Sequence, residues 1–166
     1  SDCSFDGDDH FEVRNNRMEG NDLDGEAIWT SEVIDILAYS DVSISIDIRE
    51  VGTMEVSDYI NLYYKLDGGP QTVFSTHGSN HGNFGSATAE QTGLNGSTLV
   101  IIIKVSNSAQ SEDHRFDDIL VQGDEPGNVG GRKRGNSDKD DQFFMYMINL
   151  SYSIGTGHVQ CPTFRR

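Results

Sequence analysis

The sequence has no long hydrophobic run and few basic residues. Its apolar stretches, such as residues 99–103, are far shorter than the roughly 20 residues of a membrane-spanning helix, so we expect no membrane insertion. Twelve Lys and Arg against 27 Asp and Glu give a formal net charge of −15. Such a field repels phosphate backbones and anionic lipids, which argues against nucleic acid as a partner. Divalent cations, basic partners and neutral glycans remain open, and solubility alone is the simpler explanation of the charge.

Recognisable catalytic motifs are also absent. The sequence contains no Gly-x-Ser-x-Gly, no His-Glu-x-x-His and no phosphate-cradling glycine loop. Carboxylates are so frequent that no glycosidase pair stands out among them. We therefore expect a protein that is not an enzyme.

Cysteine is scarce, with two residues near opposite ends of the chain. A Cys3–Cys161 disulfide would tie the termini together, and two free thiols are the alternative. Asn95 and Asn149 each begin an N-glycosylation sequon. Together these features favour a secreted, extracellular glycoprotein.

Apolar residues instead recur at every second position, which is typical of β-strands. Ile44, Ile46 and Ile48 share one face of a strand at 42–50, and residues 59–66 and 98–105 alternate in the same way. Shorter strands are predicted at 10–14, 27–36, 72–75, 86–91 and 115–122, separated by Gly-rich turns. No segment has the period of a helix. The pattern predicts an all-β, antiparallel, two-sheet, jelly-roll-like β-sandwich.

One domain accounts for the whole chain, residues 1–166. We assign its core to 11–123, a polar Gly-rich loop to 124–141 and a C-terminal strand to 142–154. The loop carries Arg132, Lys133 and Arg134. This basic triplet is either a processing site for a protease or part of a solvated loop whose charges pair with the acidic body.

Several blocks of residues resemble a known class of module. The blocks are EAIWTS at 26–31 with IDI at 34–36, DYI at 58–60 with YYKLDGG at 63–69, LNGSTLV at 94–100, and NSA at 107–109 with Glu112 and FDDILV at 116–121. They are similar to the secreted jelly-roll accessory domains of bacterial hydrolases and adhesins, and more loosely to carbohydrate-binding modules and the MAM-type sandwich. The resemblance covers about 11–123. It implies a β-sandwich, often calcium-stabilised, with a binding or adhesive role.

A calcium site is the strongest chemical candidate. Asp22, Asp24 and Glu26 place three carboxylates in a short turn-forming segment, and calcium binds six to eight hard oxygens. The alternative is a plain acidic loop.

The resemblance adds Glu12 and Asp118 to this ligand set. If Phe116 and Leu120 face the core, alternation places Asp118 on the same face, where a buried carboxylate needs a cation or strong hydrogen bonds.

A ligand-binding surface is predicted around two tyrosines. Tyr59 and Tyr63 alternate onto the outer face of their strand, where exposed rings can stack on sugars. His77, Asn80 and His81 lie in a Gly-rich segment that offers imidazoles and an amide at the rim. The alternative is that the C-terminal strand covers Tyr59 and Tyr63, so that neither ring is available to a ligand. Trp29 and Tyr39 are further candidates for stacking on sugars. The alternative for Trp29, which we expect, is that it fills the core.

Two functions remain. The first is a calcium-stabilised module that binds a glycan or an extracellular protein. The second is a structural subunit of a filament or matrix that self-assembles through strand pairing. It draws on the strand at 142–154, in which residues 143–148 are apolar on both faces.

Overall fold

The computed structural model describes residues 9–124 and 158–160, and at residues 24 and 158–160 it describes the backbone alone. The predictions for Cys3, Cys161 and Asn149 therefore lie outside the described residues. The same holds for the loop from residue 125 onward, with its basic triplet, and for the strand at 142–154.

Twelve strands make up the described part of the chain. They are β1 (His10–Arg14), β2 (Arg17–Asn21), β3 (Leu23–Thr30), β4 (Ile34–Asp35), β5 (Ser40–Val51), β6 (Tyr59–Leu66), β7 (Thr72–Val73), β8 (Ser79–His81), β9 (Ser86–Leu94), β10 (Thr98–Asn107), β11 (Asp113–Asp124) and β12 (His158–Gln160). Within residues 9–124 and 158–160 there is no helix that could span a membrane.

The strands form two antiparallel sheets. Sheet A has the order β1-β2-β11-β5-β9, and sheet B has the order β12-β3-β10-β6-β7, with β4 paired to β10 and β8 to β6. The predicted all-β, two-sheet sandwich is thus confirmed.

The core lies between the inner faces of the two sheets. In β5, Ile44, Ile46 and Ile48 are at most 2% exposed, because alternation turns all three inward from sheet A. From sheet B, Trp29 is fully buried, and its ring meets that of Phe116 edge-on with centroids 5.8 Å apart. The prediction that Trp29 fills the core is confirmed, and this contact joins the sheets.

Three described strands, β2, β8 and β12, have no counterpart in the prediction. β2 and β8 are short and mostly polar, so neither shows a clear apolar alternation. The predicted strand at 27–36 ends at Thr30, and the chain resumes pairing with β10 only at Ile34–Asp35. The local sequence pattern does not predict these strand boundaries, because pairing with neighbouring strands decides where a strand begins and ends.

A β-bulge in β11 overturns one premise of the calcium prediction. The register against β5 shifts between Asp117 and Leu120, and Asp118 has a φ of 49°. Beyond the bulge Ile119 and Val121 face the core, at 6% and 3% exposure, whereas Leu120 does not. The expectation that Asp118 points inward is wrong, since the extra residue places it in solvent.

Candidate functional site

The outer face of sheet B carries a row of ring and polar side chains. In β6, Ile60 and Leu62 are fully buried, so Tyr59, Asn61 and Tyr63 point to the other side. Pairing with β8 sets His81 opposite Tyr59, with ring centroids 5.5 Å apart. Tyr59 and Tyr63 are separated by about 13 Å along the strand. Both tyrosine rings are half-buried, and His81 is exposed.

A short network holds the ring of Tyr59 in place. Its hydroxyl donates to Oε2 of Glu26 at 2.7 Å, and Nζ of Lys104 donates to Oε1 of the same carboxylate at 2.9 Å. Burial, followed by the bond to Glu26, raises the pKa of Tyr59. Burial also acts to raise the pKa of Glu26, but the bonds from Lys104 and Tyr59 and the charge of Lys104 outweigh it, so this pKa lies below its usual value. The network keeps a carboxylate and an ammonium beside the ring.

Tyr63 lies at the more apolar end of the row. Strand pairing places it between Ile102 of β10, which is 7% exposed, and Val73 of β7, which is 45% exposed. Between the tyrosines, Asn61 is 9% exposed, and its Oδ1 accepts no hydrogen bond from any described residue. We name Tyr59, Asn61, Tyr63, His81, Glu26 and Lys104 the tyrosine face.

The predicted ligand residues in the segment after β7 divide between two roles. Asn80 is 5% exposed, and its amide donates to the carbonyls of Ile60 at 3.1 Å and His77 at 2.7 Å. Asn80 therefore ties the loop to β6 and has no surface for a ligand. His77 is exposed and lies 3.3 Å from Oδ1 of Asn80. Of these three residues, His81 is the one that packs on a tyrosine of the face.

Two of the residues predicted to hold calcium, Glu12 and Glu26, lie on different sheets. Glu12 is on the outer face of sheet A, where its Oε1 accepts from Nε of Arg14 at 2.6 Å. Glu26 is on the outer face of sheet B, and the two sheets of a sandwich stack about 10 Å apart. Asp22 forms the left-handed turn at which the chain passes from sheet A to sheet B. Asp24, like Glu26, lies on β3, and Asp118 is exposed at the bulge in β11. No single ion can reach both Glu12 and Glu26.

The sequon at Asn95 is exposed in the connection between β9 and β10. The side-chain amide of Asn95 donates to the carbonyl of Gly93 at 3.2 Å, and its Oδ1 accepts from the backbone of Asp41 at 3.0 Å. Its position is accessible, and its occupancy stays a prediction.

Sequence reasoning missed a charged network on the outer face of sheet A. Glu19 of β2 is 6% exposed, yet Nε of Arg115 lies 2.9 Å and Nη2 of Arg17 3.3 Å from its Oε2. His10 approaches Oε1 of Glu19 at 3.3 Å, and Arg115 also donates to Asp113 at 2.6 Å. This arginine network was unpredictable because β2 itself carries no clear strand signal.

A cleft of about 370 Å³ opens beside the arginine network. Arg49 lines it from β5 and forms no ion pair with any carboxylate in the described residues. The strands that line the cleft belong to sheet A, whereas the tyrosine face belongs to sheet B. The two surfaces therefore lie on opposite sides of the sandwich.

No protein-family model matches this chain, and no curated protein matches it.

Proposed function

We propose that this chain is a non-enzymatic, secreted binding module and that its tyrosine face binds glycans. The observation that carries the proposal is the pair of half-exposed rings, Tyr59 and Tyr63, on one outer face of a sheet. An aromatic ring presents an apolar surface to the C–H face of a sugar, and its hydroxyl supplies a polar handle.

The neighbours of the rings supply the polar half of such a site. Glu26 accepts hydrogen bonds and Lys104 donates them, so both kinds of sugar hydroxyl contact are available beside Tyr59. The free Oδ1 of Asn61 offers a further acceptor between the rings. Because the bond to Glu26 fixes Tyr59, a ligand that stacks on it orders little side-chain freedom.

The test is an array of neutral and acidic oligosaccharides, followed by calorimetric titration with the strongest binder. Tyr63→Ala should weaken binding about tenfold, which corresponds to about 1.4 kcal/mol. Arg49→Gln changes the cleft on the opposite face and is the matched control, expected to leave affinity unchanged. If Arg49→Gln loses glycan binding and Tyr63→Ala keeps it, the glycan binds in the cleft instead. Absence of any binder on the array contradicts the proposal.

The second candidate, a self-assembling structural subunit, depends on the strand at 142–154 and on a free sheet edge. β12 pairs with β3 along Ile28, Trp29 and Thr30, so that edge of sheet B is occupied by the chain itself. This pairing favours the binding module. Light scattering of the intact chain and of a 142–154 deletion separates the two functions, because assembly that disappears with the deletion supports the subunit.

A further inference from the structure

Three carboxylates meet at one end of the sandwich, and one of them, Asp58, directly precedes Tyr59 of the tyrosine face. Oxygen atoms of Glu55, Asp58 and Glu112 all lie within 4.8 Å of one another. Asp58 and Glu112 are each 2% exposed, whereas Glu55 is exposed and forms the open side of the group. We call these three residues the end cluster.

The end cluster forms because two connections begin at the same end of the fold. Glu55 and Asp58 lie between β5 and β6, and Glu112 lies just before β11. The connections touch at Gly52, which has a φ of +109°. A Cβ there would lie 2.5 Å from the carbonyl oxygen of Ser111 and 3.1 Å from Cγ of Glu112. No other residue fits at position 52, so the approach of the two connections is built into the fold.

Backbone bonds fix the turns that carry the three residues, and one of these bonds also holds the carboxylate of Asp58. The Glu55 backbone N–H donates to Oδ2 of Asp58 at 2.7 Å, and the Asp58 N–H donates to the carbonyl of Glu55 at 3.0 Å. On the other side, the Glu112 N–H donates to the carbonyl of Ala109 at 2.9 Å. The three carboxylates are held by tight turns, and a bound ion would have little chain to order.

One oxygen of the end cluster has no partner. Oε2 of Glu112 is buried and accepts no hydrogen bond from any described residue, although the side chain points into the group. Within residues 9–124, no Lys or Arg forms an ion pair with Glu55, Asp58 or Glu112. The carboxylate of Glu112 accepts a hydrogen bond from the backbone of Ser108. A buried oxygen such as its Oε2, which has neither a hydrogen bond nor a counter-charge, is costly, and a bound cation removes that cost.

We propose that the end cluster binds a divalent cation of the calcium type. Every ligand atom in the group is a carboxylate oxygen, the donor that calcium prefers, and neither a thiolate nor an imidazole belongs to it. Calcium accepts irregular coordination completed by backbone carbonyls and water, whereas magnesium demands a near-ideal octahedron. The exposed carboxylate of Glu55 gives the ion its entry from solvent.

The test uses the whole 166-residue chain, stripped with chelator and titrated with CaCl₂ while thermal melting and binding heat are recorded. At a concentration about 100-fold above Kd, calcium should raise the melting temperature by roughly 5–10 °C. Magnesium at the same concentration should raise it less.

Glu112→Gln keeps the shape of the side chain and removes its charge. It should abolish the calcium response and still fold, with a melting temperature in chelator no lower than that of the parent chain. Glu55→Gln, at the exposed position, should weaken calcium binding at least tenfold. Glu12→Gln changes a carboxylate on the outer face of sheet A and is the control that keeps the full response.

Two results would overturn the proposal. The first is a parent chain whose melting does not respond to calcium while Glu112→Gln stabilises it, because the carboxylates then share a proton rather than an ion. The second is a calcium response that survives Glu112→Gln. If Asp22→Asn then abolishes that surviving response, the ion lies at the turn between β2 and β3. Glycan binding is measured separately and does not depend on any of these.

Discussion

The arginine network and the end cluster are two groups of buried acids with opposite electrostatics. Glu19 is 6% exposed and Glu112 is 2% exposed, so both carboxyls are removed from water. Burial acts to raise the pKa of each. Nevertheless the pKa of Glu19 lies below its usual value, and the pKa of Glu112 lies above it.

The difference comes from what stands beside each carboxyl. At Glu19, the hydrogen bond from His10 and the charges of Arg115 and Arg17 outweigh burial. At Glu112, the charges of Asp58 and Glu55 add to burial in the same direction, and burial also raises the pKa of Asp58. Equal burial can therefore mark a satisfied ion pair in one place and the proposed cation site in another.

Removal of Arg115 should have the largest effect, because it makes the first cluster resemble the second. Arg115→Met leaves Glu19 and Asp113 without their shared cation, and we expect a loss of about 4 kcal/mol in the free energy of unfolding. Urea denaturation at pH 7 measures it. Arg14→Met breaks only the exposed pair with Glu12 and should cost less than about 0.5 kcal/mol. Equal losses in the two variants would show that burial of Glu19 does not matter.

The second largest effect should be a loss of stability at acid pH caused by His114. This side chain is fully buried beside the end cluster and stacks on Phe84. Burial lowers its pKa from 6.5 to about 4. Below pH 6.5 the unfolded chain binds a proton on this histidine that the folded chain does not bind. The contribution of His114 to stability is therefore fully present above pH 6.5 and is lost as the pH falls to about 4. The loss is on the order of 3 kcal/mol.

The carboxylates that face His114 work in the opposite direction. Asp58 interacts with it electrostatically, and Glu50 lies opposite it in the pairing of β5 with β11. Because the pKa of Asp58 and that of Glu112 are raised in the folded state, their ionisation removes stability as the pH rises above about 4. His114→Phe isolates the histidine. Denaturation in chelator at several pH values measures the free energy of unfolding. Between pH 6.5 and 4 this free energy should fall less steeply in His114→Phe than in the parent chain, and His81→Gln, at an exposed position, is the control.

A change from Glu to Gln should have opposite effects on the free energy of unfolding in the arginine network and in the end cluster. In chelator, Glu19→Gln should destabilise the chain by about 2 kcal/mol, since it removes the partner of two arginines. Glu112→Gln should stabilise it by a smaller amount, because it relieves repulsion from Asp58 and Glu55. Denaturation of both variants at pH 7 checks the pair. Destabilisation by both would mean that the ionised end cluster is satisfied without a metal.

Glu26 is an intermediate case, half-exposed and bonded to one cation and one hydroxyl. Tyr59→Phe removes only the hydroxyl bond, and Lys104 stays in place. We expect the smallest effect here, about 1 kcal/mol in the free energy of unfolding. A loss as large as that of Arg115→Met would show that the tyrosine face is part of the structural core rather than a surface available to ligands.

The strands and the core residues were largely predictable, because side-chain alternation is a local property. The alternation of Ile44, Ile46 and Ile48 predicts β5, and the apolar run at 99–103 predicts the buried strand β10. The outward position of Tyr59 and Tyr63 follows from the same alternation in β6. Trp29, the sole tryptophan, belonged in the core by size and hydrophobicity alone.

The ligand sets were not predictable, because they depend on which sheet each strand joins. The turn at Asp22 sends β3 to the other sheet and so parts Glu12 from Glu26, and one extra residue in β11 turns Asp118 into solvent. The contact of the connections at Gly52 brings Glu112 to Asp58, 54 positions earlier in the chain. The sequence alone determined the alternating strands and the acidic surface, since both follow from neighbouring residues. Only the tertiary structure decided which acids meet a cation, because that contact joins residues distant in the chain.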